Sequence, residues 1–519
     1  MARTGGVEPR GPNRQPPRPA LRHSGRSITL PGKETVVIRR ILAPAVALCA
    51  TAAVAVVGPL GAQAALSEEP AVSPLRLVAP KTVYGSTYRG RVYFDAELGL
   101  IAQGEPFELW SKRPAWTEKI RTEWRTEAGT VALPEGTMSN FRGLPKFLKL
   151  VVRDESGATV RRTRQTVCLN SWASERVRPD APLRSPYPRF CPYRKWTLGS
   201  VQGIQEGHQN RLELGGSFRL ARGTYEVTAV IREQWRDLFG IAKSDAQKVF
   251  TLEAGRGGFR EPNHREAARR GAGEQGPQDP SPTPADREPT TAKAGEPAAV
   301  KPDLRSLPAF GIRVSPKGNH LRFSATVWNA GDSPLVVDGF RREDEDVMDA
   351  YQYFIDADGN QTGYQQVGTM EWDTKDTHFH WHFKDFARYR LLDADMVSVV
   401  RSRKEAFCLA NTDATDYTVP GADWRPDGTD LETACGRKDS ISIREVLSSG
   451  SGDTYSQFRA GQAFKLKGLP NGTYYIAVEA NPKHRLVEHS TDNNVELRQV
   501  EIGGVDGART VSVERIRMP

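Results

Sequence analysis

Histidine is sparse in this chain, nine in 519 residues, yet His378, His380 and His382 fall within five consecutive positions. In an extended strand, residues i, i+2 and i+4 share a face, so the three imidazoles form one row with Phe379 and Trp381 opposite. Neutral imidazole is the commonest protein metal ligand, and a nitrogen-rich row suits Cu(II) or Zn(II). The spacing does not choose between these metals.

The elements that must hold this row are strands. Residues 66–253 read as a β-rich domain, with short apolar runs at Thr82–Tyr84, Arg91–Phe94, Phe147–Val152 and Tyr225–Ile231 separated by turn residues. Residues 254–304 are dominated by Gly, Pro, Ala, Glu and Arg, with eight acids against eight bases, and read as a disordered linker. Residues 305–503 form a second β-rich domain, with strands such as Leu321–Trp328 and Thr473–Glu479, and 504–519 a short tail. The expected fold is mainly β, two β-sandwich-like domains joined by that linker. Asp356-Ala357-Asp358-Gly359-Asn360 has the opening of a calcium loop but no closing glutamate, and reads as a hairpin turn.

Residues 1–65 contain an export signal. Arg39-Arg40 precedes the apolar run Ile41–Val57, and Ala62-Gln63-Ala64 is a cleavage-site pattern, so the protein is expected outside the cytoplasm with no membrane span after cleavage. The polar stretch before it is long for such a signal and suggests a true start near Val36 or Val37. The formal charge of +9 falls to +2 once residues 1–64 leave, which supports neither a nucleic-acid partner nor a membrane-surface one. Cys49 lies within the signal. The remaining Cys168, Cys191, Cys408 and Cys435 are an even set in an exported chain, so disulfides Cys168–Cys191 and Cys408–Cys435 are expected.

The two domains also resemble one another. Val167-Cys168-Leu169-Asn170 is similar to Phe407-Cys408-Leu409-Ala410-Asn411, and Phe218–Tyr225 is similar to Phe464–Tyr474. The first domain lacks the histidine row and has Arg164 where the second has Lys404, four residues before the cysteine.

Several segments of the second domain together resemble the lysyl oxidase family. They are Leu321-Arg322-Phe323 with Val327–Gly331, Glu371-Trp372 before His378–His382, and Tyr389–Asp393. Further on come Lys404–Leu409, Gly452-Asp453-Thr454-Tyr455, and Gly472–Ile476 with Asn481-Pro482 and Glu488–Asn494. The resemblance covers roughly residues 304–502. It implies copper bound by His378, His380 and His382, and a lysine tyrosylquinone formed from Lys404 and Tyr455. It also implies oxidative deamination: a primary amine, with peptidyl lysine one candidate, and O2 give an aldehyde, ammonia and H2O2. A base must take a proton from the substrate carbon, and Asp376, Asp385, Asp453 and His484 are the candidates. The extra histidine and cysteines of vertebrate members are missing, so their specificity for elastin and collagen does not transfer. Two other classes use the same histidines: a copper-binding or adhesive envelope protein without the quinone, and a zinc hydrolase needing an open coordination position and a carboxylate base.

Overall fold

A computed structural model describes residues 72–88, 91–93, 97–212, 214, 217–255, 289–343, 345–373, 380–402, 404, 406–459 and 461–516. The expected export signal, most of the expected linker, and His378 and Asp376 lie outside these residues. No helix among the described residues is long and apolar enough to cross a membrane.

The strands form because apolar residues recur at every second position. Tyr225, Val227, Ala229 and Ile231 are buried along one strand, as are Tyr474, Ile476, Val478 and Ala480 along another. Each set enters its own core, one built from residues 75–254 and one from 304–502. The fold is mainly β, as expected, with one short helix among the described residues, Glu233–Phe239.

The two halves repeat one strand plan. The antiparallel order Leu75–Val78, Gly99–Ala102, His208–Arg211, Ser174–Arg176 recurs as Leu304–Ser306, His320–Asn329, Ser451–Tyr455, Asp413–Ala414. The order Gly199–Ile204, Phe107–Lys112, Arg121–Thr126, Gly129–Ala132 recurs as Ser442–Leu447, Leu335–Arg341, Val347–Ile355, Gln361–Asp373. A third run, Thr159–Val167, Leu144–Arg153, Gly223–Ile231, Gln247–Gly255, recurs as Ser398–Arg401, Ala387–Leu392, Gly472–Ala480, Val495–Val505. Both disulfides are formed as expected, with Cα separations of 5.8 Å and 5.9 Å. Even a corner is shared: the Tyr225 hydroxyl donates to Ala221 O at 2.9 Å, and the Tyr474 hydroxyl to Pro470 O at 2.8 Å.

The halves dock along a continuous seam. Leu198 N–H donates to Thr415 O at 2.6 Å, Tyr417 N–H to Gly199 O at 3.2 Å, and Thr197 Oγ1 to Ala414 O at 3.2 Å. Arg194 Nε meets Asp413 at 2.8 Å, Arg189 pairs with Asp427, and Trp424 packs on Trp110 and Tyr187. The segment before the second core is also placed. Lys293–Ala294 pairs with Tyr364–Gln365, and Pro302 and Asp303 are buried, so residues 289–304 of the expected linker lie on the second body. Their low aliphatic content hid this, because backbone pairing needs no apolar side chain.

Removing either corner hydroxyl deletes one side-chain hydrogen bond and little volume. Tyr225→Phe and Tyr474→Phe should each destabilise the half that carries them by about 1 kcal/mol, read as a lowered urea midpoint; a change for one but not the other would contradict the shared corner.

Candidate active site

The histidine strand is His380–Lys384, held against Gln361–Asp373 on one side and Ala406–Phe407 on the other. Trp381 and Phe383 enter the core, and the Trp381 indole N–H donates to Arg437 O at 2.8 Å. This fixes the strand's pleat and turns His380 and His382 to the opposite face, as the spacing predicts. Their Nε2 atoms face each other at 2.9 Å. Two ligands about 2.0–2.1 Å from a shared ion, at roughly a right angle, have that separation. Asp373, across the ladder, places Oδ2 3.3 Å from His382 Nδ1. A carboxylate there keeps the proton on Nδ1 and presents the Nε2 lone pair to a metal. The pair therefore fits a nitrogen-bound metal, and sequence reasoning missed Asp373. It was findable: two residues on from Glu371, it continues the polar face of the same hairpin.

The neighbouring strand leads to Lys404. This lysine is buried at 7 % exposure. Its Nζ donates to Ala406 O at 3.0 Å and lies 4.4 Å from the Tyr455 ring centroid and 4.8 Å from that of Phe407. Gly461, at φ +82°, backs it so closely that a Cβ there would lie 2.7 Å from Lys404 Cβ. Tyr455 is clamped at its hydroxyl, which donates to Cys408 O and accepts from Cys408 N–H, both at 3.0 Å. Phe407 meets the Tyr455 ring edge-on at 4.8 Å. Lys404 and Tyr455, 51 positions apart in sequence, thus meet, the ammonium over the face of the ring.

Two buried carboxyls stand beside them. Burial raises the Asp453 pKa well above the usual range, Lys404 opposing the shift and Asp413 adding to it. Burial likewise raises Glu445, whose Oε2 accepts from Leu409 N–H at 3.0 Å. Burial, then the charges of Asp453 and Glu445, push the Tyr455 phenol well above its ordinary value. Asp453 Oδ2 and Glu445 Oε1 are buried without a hydrogen-bond partner.

The first half supplies an internal control. Leu169 N–H, one residue after its cysteine, donates to Gln202, just as Leu409 N–H donates to Glu445. Eight residues after Gln202 comes buried Asn210, and eight after Glu445 comes Asp453; two further on stand Leu212 and Tyr455. The fold is built with amides at both places, so carboxyls are not a folding requirement. They occur in the half that also has Lys404 and Tyr455. Only an alignment of the halves through the cysteines reveals this, because Glu445 alone looks like one polar residue in an alternating strand.

Of the expected bases, Asp453 lies beside Lys404, whereas Asp385 is tied to Lys483 at 3.0 Å. No ion pair or side-chain hydrogen bond joins His484 to this group, and Asp376, like the third histidine, lies outside the described residues. Cys408, Cys435 and Glu445 also converge within 4.8 Å, but both sulfurs are committed to a disulfide, which leaves one carboxyl and no metal site.

The second half thus holds a buried lysine–tyrosine pair and, on the strand that pairs with Ala406–Phe407, two converging imidazoles. Residues 344–506 match the family model described as lysyl oxidase, a match that covers most of the second half and under a third of the chain. No curated protein matches the chain.

Because the folded protein holds the Glu445 proton more tightly than the unfolded chain does, stability falls as pH rises above the unfolded value of about 4.3. Glu445→Gln removes that slope. Its urea midpoint should gain on the parent's between about pH 5 and about pH 8; parallel curves would contradict the buried neutral carboxyl.

Proposed function

We propose that the second half is a copper-dependent amine oxidase that forms a lysine tyrosylquinone from Lys404 and Tyr455. The observation that carries this reading is the placement of Lys404 Nζ over the Tyr455 ring within a region that matches the lysyl oxidase family. His380 and His382, with His378, would hold the copper. Bound copper with O2 would supply the oxidation of the phenol to an ortho-quinone to which Lys404 adds, and the finished cofactor would accept two electrons from a primary amine.

The protein's own residues position and protect this chemistry. The two hydrogen bonds between the Tyr455 hydroxyl and the Cys408 backbone fix the ring while Lys404 Nζ sits over its face. Phe407 and Tyr389, both buried, keep water from the pair. Asp453 is the base we assign to the substrate carbon. Its raised pKa makes its carboxylate a stronger base than an exposed one, and it is buried within electrostatic reach of Lys404. The overall reaction converts a primary amine, O2 and water into an aldehyde, ammonia and H2O2. Peptidyl lysine at a cell surface is the substrate class we favour, given the export signal expected in residues 1–65.

Copper-loaded protein should release H2O2 with a primary amine and colour with phenylhydrazine. Lys404→Arg should lose both. Asp453→Asn should keep the phenylhydrazine colour while amine turnover falls by about 10²–10⁴-fold. Undiminished turnover in that variant would remove Asp453 from the role, and H2O2 release by Lys404→Arg would overturn the quinone.

A further inference from the structure

We propose that the first half binds an organic anion, of sugar-phosphate size, in a cleft lined by Arg164, the residue that stands where the second half has Lys404. The correspondence of place follows from three pairings. Val167, just before Cys168, pairs with Leu144, and Phe407, just before Cys408, pairs with Phe383. Two residues on from Leu144 and Phe383 come Lys146 and Asp385, both at positive φ, +53° and +62°. Arg232 N–H then donates to Phe147 O at 3.0 Å where Asn481 N–H donates to Phe386 O at 2.8 Å. Arg164 occupies the position of Lys404. On this alignment Phe141 and Gly143 stand where the second half has His380 and His382, so the metal pair has no counterpart.

The cleft, of about 600 Å³, is lined by Lys146, Arg164 and Arg232, with no carboxylate in its lining. Glu135, on the rim loop, is engaged by Lys119 at 2.9 Å. None of the three cations makes an ion pair among the described residues. Arg164 also stands directly across the ladder from Lys149. Like charges placed opposite one another destabilise a sheet unless something negative lies between them. Lys146 reaches the cleft from a bulge, in a backbone conformation that a side chain adopts at some expense. Trp235 lines the cleft as well, and its indole N–H is buried without an acceptor.

Three cations and an unused N–H donor suit an oxyanion. The volume exceeds what one oxyanion needs and lies in the range of small-ligand sites, and Pro134, Pro145, Trp235 and Leu238 offer apolar walls for a carbon skeleton. The small net charge expected after export conceals an asymmetry that agrees with this. Residues 72–255 hold 29 Lys/Arg against 19 Asp/Glu, whereas residues 289–519 hold 28 against 34. The ligand is either a free sugar phosphate or one unit of a phosphodiester-linked glycopolymer.

Titration calorimetry of the full chain at low ionic strength tests this, with glucose 6-phosphate, glucose and a poly(glycerol phosphate) as probes. We expect saturable binding of glucose 6-phosphate, none of glucose, and a loss of about tenfold or more in the Lys146→Ala/Arg164→Ala variant. Both replaced side chains are exposed, and unchanged circular dichroism would show that the fold is kept. Tighter binding per phosphate by the polymer assigns the ligand to a polymer, and equal binding assigns it to a free sugar phosphate. Absence of binding by either anion, or binding unaltered in the variant, overturns the proposal. The readout is independent of amine oxidation, so failure of either reading leaves the other standing.

Discussion

The candidate site depends on the junction at Cys408–Cys435. Cys408 holds the Tyr455 hydroxyl through both its N–H and its C=O. Cys435 O accepts the Trp381 N–H at 3.0 Å, in the middle of the histidine strand. The next residue, Leu409, donates to Glu445. One covalent link therefore joins the strand that carries the imidazoles, the segment that follows Lys404, and the strand that carries Tyr455. In each of these contacts the partner at the junction is a backbone N–H or C=O, so the contacts do not depend on any side chain of the junction other than the disulfide itself.

The repeated architecture separates what the fold needs from what the chemistry needs. Gln202 and Asn210 show that a buried amide satisfies the first half. Glu445 and Asp453 occupy the matching places at a desolvation penalty that two amides would avoid. Carboxyls that cost stability, placed in the half with Lys404 and Tyr455, agree with the proton-handling role proposed for Asp453. The docking seam adds a further link, since Arg194 of the first half pairs with Asp413, whose charge acts on Asp453. The first half is thus linked electrostatically to Asp453 through Asp413.

Much of this was legible in the residues. Period-two spacing placed His380 and His382 on one face, and the even cysteine set paired as expected. The family resemblance singled out Lys404 and Tyr455, although nothing local in either segment shows that they meet. What stayed hidden shares one physical cause: it arises from contacts distant in sequence. Asp413 reads as a loop acid until Arg194 and the tyrosine strand close on it. Residues 289–304 read as linker because backbone pairing leaves no compositional trace. The cationic cleft was invisible because Lys146, Arg164 and Arg232 are spread over 87 positions and converge only in the fold.

The central claim is that Lys404 and Tyr455 become one cofactor. Mass spectrometry of peptides from aerobically produced, copper-loaded full chain tests it most directly. The account predicts a single cross-linked species joining the Lys404 and Tyr455 peptides, with a mass showing one added oxygen and the loss of hydrogens that quinone formation and C–N bonding require. Two separate, unmodified peptides from fully copper-loaded protein would contradict it.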